Sequence, residues 1–248
     1  MPVPTLGLAG LSVAFGGLAA LDGVTLSLAP GERRAVIGPN GAGKTTLFNL
    51  IAGEVKPSAG QVRLFGQDVT RLAPYRRAAL GLARTFQVNT LFPGLTVMEN
   101  LLLAVQGSLP RKLVIHRPIA SYPALGDRAR EVLEAVGLSG ADEMPVAALS
   151  HGEGRQLEIA MALAGRPKLL LLDEPTAGLS ASESQLLTRM LEGLDPGMTL
   201  LLIEHDMDVA FQLARRATVL HNGKVIADGD CDQVRRDPLV AEIYLGAE

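Results

Sequence analysis

Short apolar runs bounded by Gly, Pro and Asp alternate along the chain with longer stretches whose apolar residues recur every three or four positions. That alternation is the mark of strands interleaved with helices. Runs at residues 24–28, 33–37 and 61–65, and again at 169–172, 199–203, 218–220 and 224–227, are predicted as strands. Between about Asn89 and Arg166 the pattern becomes helical or irregular, and 128–136 and 150–164 are the clearest helices there. An α/β domain with an inserted helical subdomain is the expectation. His221-Asn222-Gly223, between two apolar runs, carries the Asn-Gly pair that favours a tight hairpin.

Residues 6–21 are apolar except for Ser12 and have the look of a signal-peptide core. No Lys or Arg precedes them, and Gly7, Gly10, Gly16 and Gly17 would make a poor helix. The run is also shorter than a membrane helix needs, so a soluble or peripheral protein is expected. At 248 residues the chain suits one large domain, or a domain with a modest insertion. Its 23 Lys and Arg against 26 Asp and Glu give a net charge of −3, without the broad positive field of a nucleic-acid binder. The single cysteine, Cys231, has no partner for an internal disulfide, which fits a reducing compartment.

Gly38-Pro39-Asn40-Gly41-Ala42-Gly43-Lys44-Thr45, followed by Thr46, matches a phosphate-binding loop in full, with a β-rich run before it. A helix-like run at 45–52 follows and stops at Gly53, where a helix C-terminus favours glycine. The glycines let the backbone curl so that several N–H groups face one anion, and the following helix points its positive end at the same place. Lys44 would reach the β- and γ-phosphates and the Thr45 hydroxyl would ligate Mg²⁺.

The apolar run 169–172 delivers Asp173 and Glu174 at the C-terminal end of a strand, where open α/β sheets bind ligands. Asp173 would hold Mg²⁺, while Glu174 would polarise the water that attacks the γ-phosphate. Ser150-His151-Gly152-Glu153 opens an amphipathic helix, and Ser-x-x-Glu is also a capping box, so a helix start alone accounts for these two residues. His116 and His221 show no metal-ligand spacing with each other or with Cys231, and Mg²⁺ arriving with nucleotide is the only metal expected.

The ordered set of phosphate loop, Gln87 in Arg84-Thr85-Phe86-Gln87, the Leu149-Ser150-His151-Gly152-Glu153 signature, the Asp173-Glu174 strand end and His205 resembles the ATP-binding cassette ATPases. The resemblance covers nearly the whole chain. It implies a P-loop NTPase (RecA-like) core with an antiparallel β subdomain at about 1–88 and 167–248, and a helical subdomain at about 89–166. It implies ATP and Mg²⁺ as ligands, and two domains closing head to tail on two ATP molecules. Ser150 and Gly152 would then touch the γ-phosphate held by the facing subunit. Gln87 would contact Mg²⁺ and the attacking water, and His205 the γ-phosphate. Phe15 stands where the family stacks an aromatic ring on adenine, with a simple core position as the lesser alternative. His151 and Glu153 replace the Gly and Gln that are frequent in the family signature, and Ser180 stands where many relatives have Asp.

Four further segments look like the ATPases of bacterial branched-chain amino acid importers, and like the longer of their two types: 81–87, 91–100, 202–207 and the tail around 236–246. The stretch around 107–122, with Pro110 and Pro118 and no strong period, is expected to be a loop. This resemblance implies two permease subunits, a second ATPase, a periplasmic solute-binding protein and a place on the cytoplasmic face of the inner membrane. Importers of urea, short amides or aromatic acids use similar ATPases. Rival readings are a soluble assembly ATPase, as in iron-sulfur cluster biogenesis, the ATPase of lipopolysaccharide export, and a P-loop kinase. The kinase leaves the 149–153 signature and His205 without a role.

Overall fold

The computed structural model describes residues 3–85, 91–109 and 122–245. In chain order it runs β1 (Leu6–Phe15), β2 (Leu18–Leu28), β3 (Arg33–Ile37), α1 (Lys44–Ala52), β4 (Ala59–Leu64), β5 (Gln67–Asp68), α2 (Pro74–Leu80) and β6 (Leu82–Arg84). Helices α3 (Val97–Ser108), α4 (Pro123–Ala135) and α5 (His151–Leu163) come next, then β7 (Leu169–Asp173), α6 (Ala181–Glu192), β8 (Thr199–Ile203) and α7 (Met207–Leu213). The chain closes with β9 (Arg216–His221), β10 (Lys224–Asp230), α8 (Cys231–Arg235) and α9 (Pro238–Leu245).

The strands form two sheets. One is antiparallel, in the order β2-β1-β4-β5; the other has the order β10-β9-β3-β8-β7-β6, with β3, β7, β8 and β9 parallel. Every residue of β7 and of β8 is buried, as continuous apolar runs require of a sheet covered on both faces. Leucines 6, 8 and 11 of β1 pack in one core with Leu47, Phe48, Leu50 and Ile51 of α1, and with Leu171, Leu201 and Ile203 of the parallel sheet.

All seven predicted strands form, several of them longer than their apolar runs. The N-terminal strand β1 was not legible. Its inward residues Leu6, Leu8, Leu11 and Val13 break the alternation between 8 and 11, where the register with both neighbours slips. Gly10 sits at this irregularity with φ 58°, and a Cβ on the facing Gly60 would lie 2.4 Å from the Gly10 carbonyl oxygen. A bulge of this kind hides a period of two from the sequence. The Asn-Gly turn forms as expected, with Asn222 at φ 47° and Gly223 at φ 75°, and His221 pairs with Lys224 across it.

The chain divides into two compact units. One gathers the residues up to Leu82 with Lys168–Glu174 and the chain from Pro196 onward; the other gathers those from Ala83 to Pro167 with Pro175–Asp195. The second unit thus takes α6 as well as α3, α4 and α5. Among its described residues no strand lies between 91 and 166, in line with the helical pattern. Helix α4 buries Leu125, Ala129, Val132 and Leu133, a stripe at helical spacing. Arg128, between them, sends Nη2 to the Leu163 carbonyl at 2.6 Å and Nε to that of Ala164 at 3.2 Å, placing a cation at the C-terminal end of α5.

Candidate functional site

Strands β3, β8 and β7 lie side by side and parallel, so the segments leaving their C-terminal ends emerge together. After β3 comes the loop 38–43, after β8 comes His205, and β7 ends in Asp173 with Glu174 next. Because β8 is the middle strand, His205 falls between the loop and Glu174. The three candidates lie far apart in the sequence, yet this sheet order brings them to one edge.

A cleft of about 510 Å³ opens there. Asn40 to Thr46 line it together with Glu174, His205, Asn222 and Gly223, and with Leu18 to Ala20 of β2. The loop has a shape that only glycine tolerates at three points. Gly38, Gly41 and Gly43 have φ of 150°, 78° and 103°. A Cβ on Gly38 would lie 2.1 Å from the Leu220 carbonyl oxygen, and one on Gly43 2.7 Å from that of Ala20. The hairpin turn after β9 supports the loop from below, with the Gly223 N–H donating to the Ala42 carbonyl at 3.0 Å.

Gly43 caps α1 without any side chain, and no acid stands in the first turn of that helix. Its N-terminal donors are therefore not occupied by any side chain of the helix's own cap or first turn. Lys44 is 5% exposed, and its ammonium donates to the carbonyls of Gly38 at 2.7 Å and Pro39 at 3.0 Å. Burial pushes its pKa down from the ordinary lysine value, while the nearby Glu174 and Asp173 charges pull it back up. The structure thus brings Lys44 and both acids of the 173–174 pair into one electrostatic cluster.

Glu174 leaves β7 in the left-handed region, at φ 48°, with its N–H bonded to the Ile203 carbonyl at 3.0 Å. A non-glycine residue in that region stores strain that the surrounding structure must enforce. The result is that the carboxylate turns to His205, whose Nε2 lies 2.6 Å from Glu174 Oε1. Asp173, one residue earlier, is buried and continues the ladder with β8.

Thr45 and Asp173 offer hydroxyl and carboxylate oxygens, the hard donors that Mg²⁺ takes alongside nucleotide phosphates. The donor set fits the ion. Gln87, the third residue expected at the metal, lies outside the described residues, as do His116 and most of the 107–122 stretch; Gly107 and Ser108 belong to α3.

Ser150 and Gly152 belong to the second unit, at the N-terminus of α5. The capping box forms in full: Ser150 Oγ accepts the Glu153 N–H at 3.2 Å, and Glu153 Oε2 accepts the Ser150 N–H at 2.8 Å. The helix-start reading of these residues is therefore satisfied, and a well-formed helix end is also what an anion needs.

Phe15 is the last residue of β1, paired with Leu18, and 53% exposed. That excludes the core reading. The cleft wall on this side is made instead by Leu18, Ala19 and Ala20, which the sequence did not flag, and Asn222 and Gly223 had been legible only as a turn.

A family model described as ABC transporter matches residues 21–177, well over half of the chain. The chain is an ATP-binding cassette ATPase. As a member of this family it is the nucleotide-binding, ATP-hydrolysing subunit of a transporter. A second model, described as branched-chain amino acid ATP-binding cassette transporter, matches residues 224–248. The chain is 40% identical to the high-affinity branched-chain amino acid transport ATP-binding protein LivG of Escherichia coli, over 99% of both chains. Its fold superposes with a TM-score of 0.87 on the ADP conformation of an ABC-transporter cassette, 34% identical, over 98% of this chain and 99% of that one. A dimeric post-hydrolysis cassette bound to ADP and Pi gives a TM-score of 0.76 at 26% identity, over 91% and 98%.

Proposed function

We propose that this cassette powers the uptake of branched-chain amino acids, hydrolysing MgATP at the cytoplasmic face of the inner membrane. Its partners in this reading are two permease subunits, a sister ATPase in a head-to-tail dimer and, indirectly, a periplasmic solute-binding protein. Similarity to LivG over full length and the match of residues 224–248 to the branched-chain family support the solute class. The dimeric neighbour supports pairing of two cassettes. Among the described residues no helix is long and apolar enough to cross a membrane.

The observation that carries the chemistry is the 2.6 Å contact between Glu174 and His205 at the mouth of the phosphate-loop cleft. A carboxylate held there accepts a proton from water attacking the γ-phosphate, and His205 fixes its orientation. Lys44 and the backbone N–H groups of residues 40–45 hold the phosphates, and Phe15 offers its exposed ring to the adenine. Thr45, Asp173 and Gln87 would hold Mg²⁺, which neutralises charge on the phosphate oxygens when bound. Donors on α5, Ser150 and Gly152, would complete the site of the facing subunit.

Two measurements test this. In the assembled transporter, Glu174→Gln is expected to retain ATP binding and lower turnover by roughly 10² to 10⁴, the usual worth of a positioned general base. Full hydrolysis by that variant would remove Glu174 from its role. Deleting the gene should abolish high-affinity uptake of labelled leucine, isoleucine or valine; unchanged uptake of all three alongside loss of urea or amide uptake would reassign the solute.

A further inference from the structure

The first turn of α5 carries one more carboxylate than its cap requires. Ser150 and Glu153 already satisfy each other, yet Oε1 of Glu183, from a different helix, accepts the Gly152 N–H at 3.1 Å. Glu183 is the third residue of α6, and its other oxygen accepts from Ser180 twice, from N–H at 3.0 Å and from Oγ–H at 2.6 Å. One carboxylate thus bridges the first turns of two helices. It lies close against α5 because residue 152 has no side chain: a Cβ there would stand 3.0 Å from Glu183 Oε1 and 3.1 Å from its Cγ.

The neighbouring loop joins the same junction. A Cβ on Gly178 would sit 3.4 Å from His151 Nε2, so the imidazole lies against the loop backbone. His151 and Ser180 are two of the positions where this chain departs from the common family pattern: Ser180 bonds Glu183, and His151 precedes Gly152 in the first turn of α5. The hydrogen bonds from Ser180, and then that from Gly152, hold the Glu183 carboxyl below its ordinary pKa, which keeps it ionised at neutral pH.

We propose that the Glu183 carboxylate is an internal stand-in for the γ-phosphate at the N-terminus of α5, displaced when two cassettes close on ATP. The proposal rests on the reading of Ser150 and Gly152 as γ-phosphate donors to the facing subunit. The Gly152 N–H is one donor, and the two anions that compete for it repel each other. While the carboxylate holds it, a helix-end N–H stays satisfied in the lone chain. When the phosphate takes it, Glu183 keeps its bonds to Ser180 and gives up only the link to α5. The carboxylate therefore sets a threshold for closure, and removing its charge lowers that threshold.

Glu183→Gln preserves the length of the side chain and a carbonyl acceptor for the α6 cap while removing the charge. In chains that also carry Glu174→Gln to arrest turnover, ATP-dependent dimerisation is followed by analytical ultracentrifugation. The dimer is expected to be tighter by roughly tenfold with Glu183→Gln than without it, as for loss of a charged competitor, with ATP affinity of the single chain unchanged. Equal or weaker dimerisation overturns the proposal. Failure of both proteins to dimerise while still binding ATP removes the parent reading of Ser150 and Gly152, and the proposal with it. A readout on the single chain guards against a merely structural effect: the Gly152 amide resonance, in ¹⁵N-labelled protein without nucleotide, is expected to move upfield in Glu183→Gln. An unmoved resonance means the bond is absent in solution and overturns the proposal without reference to ATP.

Discussion

Helices α1 and α5 both end toward an expected anion, yet the chain treats their N-termini in opposite ways. At α1 the cap is Gly43, which contributes no side-chain bond, and the first turn holds no acid. At α5 the cap is a complete Ser150–Glu153 box, and Glu183 reaches in as well. A helix end attracts negative charge through its unsatisfied N–H groups, whichever molecule supplies that charge. One end is left for a ligand, and the other is filled from within. The bare end forgoes the local stabilisation that a cap gives, so α1 depends on tertiary packing, with Leu47, Phe48, Leu50 and Ile51 all fully buried. Helix α5 has its own caps at one end and Arg128 at the other.

The largest effect that would distinguish the two ends is on nucleotide affinity. Lys44→Ala removes the cation that completes the α1 end, and isothermal titration should show ATP binding weakened by roughly a hundredfold, as for loss of a charge-assisted contact in a buried site. Unchanged affinity would mean that the α1 end is not a phosphate site. A smaller change makes α1 resemble α5: Thr46→Glu places an acid in its first turn, beside the cleft. ATP affinity should fall by about tenfold, while the nucleotide-free chain should lose no stability, since the acid interacts favourably with the helix end. A large loss of thermal stability would show that the bare end is sterically rather than electrostatically required. Smallest is Ser150→Ala, which strips the α5 cap at a cost of about 1 kcal/mol in unfolding free energy and should leave ATP affinity of the single chain untouched. Urea denaturation and the same titration together read both halves of that expectation.

How much of this was legible depends on distance along the chain. The loop 38–45 could be read outright because its groups are contiguous, and three of its glycines indeed adopt left-handed φ values. The α5 cap was legible for the same reason, as Ser-x-x-Glu spans a single turn. Glu183 was not, because nothing at 31 residues' separation marks it as the partner of Gly152. Strand β1 was hidden by a bulge that breaks its period, and with β1 unread, the position of Phe15 at a strand end was unread too. The cleft walls at Leu18 to Ala20 and at Asn222 and Gly223 carry no chemical signature, since they contribute shape through their backbone.

The sequence by itself determined which residues are capable of the chemistry, because a phosphate loop, an Asp-Glu strand end and a capped signature are local patterns whose physics needs only neighbours. It also determined the α/β class, through buried apolar runs alternating with helical spacing. Only the tertiary structure decided that β8 lies between β3 and β7, which sets His205 2.6 Å from Glu174 beside the loop. Only it decided that α6 would lend a carboxylate to α5. Both are pairings across long stretches of chain, fixed by how strands order and helices pack, and no local preference encodes them.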